Sequence, residues 1–143
     1  MLKALITADF NVFSALLAEF VKNSFSYFDT GGNQPEQVYH AFVLGLLLNL
    51  KRDYRLSSNR ESGYGRYDIM LIPEADHKNA VIIEFKKAVD YQNESLEAAA
   101  ISALKQIEEK DYRSELLALD KRDIIELGIA FSGKKTLVNG CPH

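Results

Sequence analysis

The 143-residue chain predicts an α/β fold in which helices flank a four-stranded mixed sheet, three strands forming an antiparallel meander and one running parallel. Three observations carry that expectation. Apolar residues recur at helical spacing before residue 50 and again from residue 94; between them the chain changes to short β-rich runs parted by turn formers; and the apolar run "DIIELGIAFSG" follows the last helix. A strand reached through a crossover helix lies parallel to the strand before that helix, joined in the right-handed sense.

Phe13, Leu16, Leu17, Phe20 and Val21 share one face of a first helix of about 15 residues, with Asp9 placed to cap its start. "FDTGGNQPEQ" interrupts it, Gly31 and Gly32 ending one element and Pro35 opening the next in its first turn. The apolar face of the second helix, Val38, Tyr39, Phe42, Val43, Leu46, Leu47 and Leu50, is wider than a surface helix needs and predicts packing against the sheet. "DYRLSSN", "RYDIMLI" and "AVIIEFKK" are the meander strands, parted by "ESGYG" and "PEADHKN". Over residues 94–112, Leu96, Ala100, Ala103, Leu104 and Ile107 form one stripe and Ala98 and Ala99 raise helix propensity. Gly133 ends the final strand, whose continuous apolar character predicts burial on both faces.

One core suffices at this length, so residues 1–143 are expected to form a single domain. With 47% hydrophobic and 26% charged residues and no apolar run of membrane-spanning length, a membrane role is not expected. "MLKALITADF" lacks the order of an export signal, which points to the cytoplasm. Cys141 has no second cysteine to pair with and only His143 beyond it as a co-ligand, and it reads as an exposed tail thiol. A net charge of -3 argues weakly against a protein that coats nucleic acid, while leaving room for a local basic groove.

The chemistry concentrates in "RYDIMLIPEADHKNAVIIEFKKA". Side chains alternate along a strand, so Ile82, Glu84 and Lys86 share one face and Val81, Ile83 and Phe85 the other. If the turn is symmetric about Asp76, residues equidistant from it pair, and Asp68 stands opposite Glu84 with Cβ atoms about 5 Å apart. Two carboxylates so placed push one pKa upward unless a cation intervenes. Mg2+ or Mn2+ suits them, taking oxygens from carboxylates, water and a backbone carbonyl such as that of Phe85. Lys86 would then orient or deprotonate a water, or neutralise charge building on a phosphate. The plainer alternative pairs Asp68 and Glu84 with Arg66 and Lys86 on a solvated sheet face.

Asp68 followed by Glu84-Phe85-Lys86, within helix, three strands, helix and strand from Pro35 to Phe131, resembles the PD-(D/E)XK nuclease superfamily and its restriction-endonuclease-like core. "SNRESGYGRYDIMLIP", "AVIIEFK", "ALKQIEEKDY" and "LGIAFSGK" are similar to the nuclease-like domain often found C-terminal to AAA-ATPase-like domains. The resemblance implies Mg2+- or Mn2+-dependent hydrolysis of nucleic acid, DNA foremost, with Asp68 and Glu84 as metal-binding acids and Lys86 as the catalytic lysine. It also implies a further acid from the preceding helix, for which Glu36 is the best match, with His40 one turn on; the helix dipole would favour Glu36 there without any function. Arg66 is then a phosphate contact or a salt-bridge partner of Asp68, and Gln106 a DNA-positioning group. In the exonuclease-like branch a tyrosine follows that glutamine by four positions; here Lys110 stands there, and Tyr112 lies about 240° further round a continuous helix. Residues 1–30 correspond to a leading helix that follows an upstream module in relatives, and without a Gly-x-x-x-x-Gly-Lys-Ser/Thr loop no ATP site is expected. The alternative implied function is an inactive nuclease-like module that binds a protein partner or regulates an associated ATPase; oligomeric state stays open.

Overall fold

Apolar side chains on both faces of the two central strands require cover on both sides, and helices supply it. The computed structural model describes residues 1–25, 36–58, 61–62, 65–88, 94–133 and 135–142, with the side chains at 25, 36, 37, 61, 62 and 66 outside that description. The chain begins with α1 (Leu2–Ile6), α2 (Phe10–Phe25) and α3 (Glu36–Leu47), the last tightening into a 3-10 turn over Leu48–Leu50. There follow β1 (Tyr54–Ser58), β2 (Glu61–Ser62), β3 (Gly65–Arg66), β4 (Ile69–Pro73) and β5 (Ala80–Lys87). Then come α4 (Leu96–Glu109), α5 (Arg113–Ala118), β6 (Ile124–Ser132) and β7 (Lys135–Pro142). The main sheet has the order β1-β4-β5-β6-β7, parallel only between β5 and β6; β2 and β3 make a separate hairpin.

The antiparallel meander and the parallel strand after a crossover helix are both present. So is the register about Asp76: Ile69 pairs with Ile83, Met70 with Ile82 and Leu71 with Val81. Asp9 caps α2, its Oδ1 accepting from the Val12 N–H at 3.3 Å. No helix among the described residues is long and apolar enough to cross a membrane.

Three departures have physical causes. The sheet has five strands, not four, because β7 folds back on β6 through a turn at Gly133, whose φ of 58° suits glycine. Asn139, Gly140 and Pro142 make β7 a poor strand by propensity, but packing overrides it. The ring of Phe10 at the start of α2 fills the space at Gly140, where an added Cβ would fall 2.6 Å from it, and Ser14 Oγ accepts from the Val138 N–H at 3.0 Å. Cys141 is therefore a partly buried strand residue opposite Glu126 instead of a tail thiol. The run "RYDIMLI" divides, with Arg66 pairing in the hairpin and the residues from Ile69 onward joining the sheet. The helix expected over 94–112 stops at Glu109, and Asp111 at φ 52° turns the chain into α5.

Alternation sorts the core into two layers. Odd-numbered Val81, Ile83, Phe85, Ile125, Leu127 and Ile129 pack under α1, α2 and α3 with Phe13, Leu17, Val21, Tyr39, Val43 and Leu47. Even-numbered Ile82 and Ile124 face α4 and α5, packing with Met70, Ile107, Tyr112 and Leu116. Each such side chain contributes about 1.5–3 kcal/mol when fully buried, so β5 can carry a buried charge among them. At the C-terminal end of β5 the α4 layer changes character: Ala99, Ala100, Ala130 and Ala88 replace the large residues. Gly128 completes this small-residue seat, since a Cβ there would stand 2.2 Å from the Ala100 carbonyl oxygen. The axis of α4 thus lies close to the sheet.

Two glycine substitutions are expected to act in opposite directions. Gly128→Ala forces backbone apart and lowers stability by about 1–3 kcal/mol. Gly45→Ala, on the exposed side of α3 with open space around it, raises stability by about 0.5–1 kcal/mol. Urea unfolding monitored by circular dichroism measures both; equal stability of the Gly128 variant and the native chain would contradict the close seat.

Candidate active site

The paired part of β4 and β5 ends at Ile69 and Ile83. Beyond that step carboxylates accept from backbone N–H groups across the two strands. The Phe85 N–H donates to Asp68 Oδ2 at 2.8 Å, and the Asp68 N–H leans towards Glu84 Oε2 at 3.4 Å. Each acid is thereby fastened to the strand carrying the other. Asp68 is half-buried, whereas Glu84 is only 4% exposed.

The α4 layer secures the rest. Gln106 donates its side-chain N–H to Glu84 Oε1, and the Lys86 ammonium donates to Ser102 Oγ at 2.8 Å. Ser102 and Gln106 are one helical turn apart, about 6 Å along the axis, which matches the roughly 6.6 Å between Lys86 and Glu84 along the strand. The crossover makes α4 antiparallel to β5, so the pairs form in reverse order, 102 with 86 and 106 with 84. Tyr112 enters here as well. Because α4 ends at Glu109 and the chain turns at Asp111, the Tyr112 hydroxyl reaches the Gln106 side chain and bonds to it. The helical angle that set Tyr112 apart presumed a helix that does not continue that far. Burial raises the Tyr112 pKa, the charges of Glu84 and Asp68 raise it further, and the Gln106 bond opposes them.

From the opposite layer α3 contributes His40. Its ring stacks on Phe85 with centroids 5.5 Å apart, and its Nε2 lies 2.8 Å from Ser58 Oγ at the end of β1. His40 thus meets the site through Phe85, the residue between the two charged positions of β5. The Glu36 and Arg66 side chains lie outside the described ones, although their backbones belong to α3 and β3. Ser102 had no sequence signal: a serine inside an alanine-rich helix reads as a neutral surface residue until the lysine opposite it is seen.

Burial pushes the Asp68 carboxyl above the usual carboxylate range, outweighing the Phe85 N–H and the His40 charge, which both pull it down. Among the described residues, Lys86 makes no ion pair with Asp68 or Glu84 to offset this. The donor set consists of two hard carboxylates, with no third His, Cys, Asp or Glu gathered beside them among the described residues. Such a set fits a cation of the Mg2+ kind, which keeps several waters and takes only one or two carboxylates from the protein.

Family comparison follows the same boundaries. A model of the PD-(D/E)XK nuclease superfamily matches residues 34–140, which run from the start of α3 nearly to the end of β7 and leave out α1 and α2. No curated protein and no solved structure matches the chain.

Replacing the under-compensated acid is expected to stabilise the metal-free protein. A carboxyl whose folded pKa is raised favours folding when protonated and loses that contribution as pH rises through the folded value. Asp68→Asn should therefore melt a few degrees higher than the native chain at pH 7–8, and the gap should close as the pH falls below about 3.9, where both side chains are neutral. Added Mn2+ should raise the native melting temperature and leave the variant's unchanged. Scanning calorimetry across pH checks it; a variant that melts lower at every pH, or responds equally to Mn2+, contradicts the account.

Proposed function

Since the chain belongs to the PD-(D/E)XK nuclease superfamily, we propose that it is a metal-dependent phosphodiester hydrolase acting on nucleic acid, with DNA as the substrate. The observation that carries this reading is the mutual fastening of Asp68 and Glu84 by backbone N–H groups, with Lys86 on the same face of β5. A salt-bridged surface patch would have joined the acids to Lys86 and left them mobile. Here the acids are held by backbone N–H groups, and among the described residues Lys86 donates to Ser102 instead of to either acid.

Asp68, Glu84 and the Phe85 carbonyl are the protein ligands in this reading, with Glu36 added from α3. Bound there, Mg2+ or Mn2+ would polarise the scissile phosphate and lower the pKa of a coordinated water towards neutrality. The chain's own residues do the rest. Gln106 holds the Glu84 carboxylate in one orientation, so little rearrangement is required when substrate arrives. Lys86 supplies a mobile positive charge on a four-carbon stem, suited to the extra negative charge that gathers on the phosphate oxygens. Burial of Glu84 keeps bulk water from dispersing these interactions. Arg66 is assigned a phosphate contact on the approaching strand, which positions the backbone without reading sequence. Association with an AAA-ATPase-like domain completes the proposal, resting on the motif wording.

The test is cleavage of single- and double-stranded DNA and RNA with Mn2+ by the native chain and by Lys86→Ala. The native chain should cut DNA, and the variant should be slower by about 10²–10⁴-fold with an unchanged melting temperature. Cleavage of RNA alone would move the substrate. Equal cutting by both proteins would place the activity elsewhere, and no cutting by either would favour a module that binds partners.

A further inference from the structure

Lys86 presents a puzzle that the superfamily reading does not address. It lies two residues from Glu84 on the same strand face, about 6.6 Å along the chain, so its flexible stem can reach that carboxylate. Opposite charges at such range attract strongly where water is scarce, and Glu84 is almost fully buried. Yet the ammonium donates to Ser102 Oγ at 2.8 Å, and among the described residues it forms no ion pair with either acid.

We infer that Ser102 is a positioning residue that holds Lys86 off the acid pair and so keeps Asp68 and Glu84 open to a divalent cation. The inference rests on the metal-binding reading above and adds a role for a side chain on α4. An ammonium folded onto Glu84 would occupy the place of the cation and cancel the charge that attracts it. Ser102 can prevent this because α4 sits close to β5: the small residues Ala99, Ala100, Ala103 and Gly128 bring a short hydroxyl within hydrogen-bond reach of a lysine on the sheet. Its neighbour one turn on, Gln106, does the complementary task by donating to Glu84, so one helical face separates the amine from the carboxylate. A hydroxyl suits the position. It accepts a hydrogen bond without bringing a charge, so Lys86 can move to a phosphate when one is present.

Mn2+ affinity, measured by calorimetry on the full chain, reads this directly and needs no catalysis. Ser102→Ala should bind Mn2+ about 10-fold more weakly than the native chain. Ser102→Thr, which keeps the hydroxyl, should bind like the native chain. The double variant Ser102→Ala with Lys86→Ala should recover native affinity, because no amine remains to compete. Unchanged affinity in Ser102→Ala overturns the inference and leaves the metal reading intact. A double variant as weak as Ser102→Ala also overturns it, since the loss would then come from altered helix packing. A native chain that binds no Mn2+ overturns both readings together.

Discussion

The close seat of α4 on β5 and β6 is the constraint from which the site follows. Gly128 is beside Glu84 in the register and Ala130 beside Lys86, so the strand next to the charged one has almost no side chain on that face. Ala99, Ala100 and Ala103 answer from the helix. With larger residues at these positions the helix would stand off by the width of a side chain, and Ser102 and Gln106 would fall short of Lys86 and Glu84. A helix repeat of four and a strand repeat of two have nearly equal lengths, and this allows two hydrogen bonds to form side by side across the gap. The packing and the polar contacts are therefore one feature, since neither is possible without the other.

Burying Glu84 costs several kcal/mol if the charge goes unpaired. The fold meets this cost in two ways. The neighbours Val81, Ile82, Ile83 and Phe85 are all buried and each contributes about 1.5–3 kcal/mol, which keeps the strand in place whatever the ionisation of its acid. The carboxylate itself receives hydrogen bonds from Gln106 and, at longer range, from the Asp68 N–H. Glu126 shows a different solution one strand away: it is 3% exposed and is met by Arg113 at 2.8 Å, a direct ion pair. On the same helix-facing layer, then, one buried acid is held by an arginine, while the amide of Gln106 holds Glu84.

Most of this was legible in the residues because it depends on periodicity. Alternation along "AVIIEFKK" assigns faces without any knowledge of the fold, and a hairpin symmetric about Asp76 gives the register found between Ile69 and Ile83. What escaped depends on contacts between distant segments. The strand Lys135–Pro142 has unfavourable propensity and exists because Phe10 and Ser14 of α2 cover it. Tyr112 reaches Gln106 only because Asp111 adopts φ 52° and breaks the helix, and an aspartate in such a run carries no local sign of doing so. Ser102 is ordinary in sequence and acquires meaning from Lys86, sixteen positions earlier. The separation is general: local pattern foretells which face a residue occupies, whereas its partner across a layer has to be seen.

The position of the acids at the point where β4 and β5 part company is the last consequence. Inside a continuous antiparallel ladder neighbouring pairs alternate in hydrogen bonding, so at most one of the Asp68 and Phe85 N–H groups would face the other strand's backbone. Past the last paired residues backbone N–H groups still have to be satisfied, because a buried donor without a partner is costly. Carboxylates satisfy them at 2.8 and 3.4 Å, and in doing so lose the freedom to turn towards solvent. His40 closes the opposite side by stacking on Phe85, so the segment carrying these amides is pressed between α3 and α4. A site formed this way needs no loop to order it. Its rigidity derives from backbone groups of the kind that hold the sheet together elsewhere.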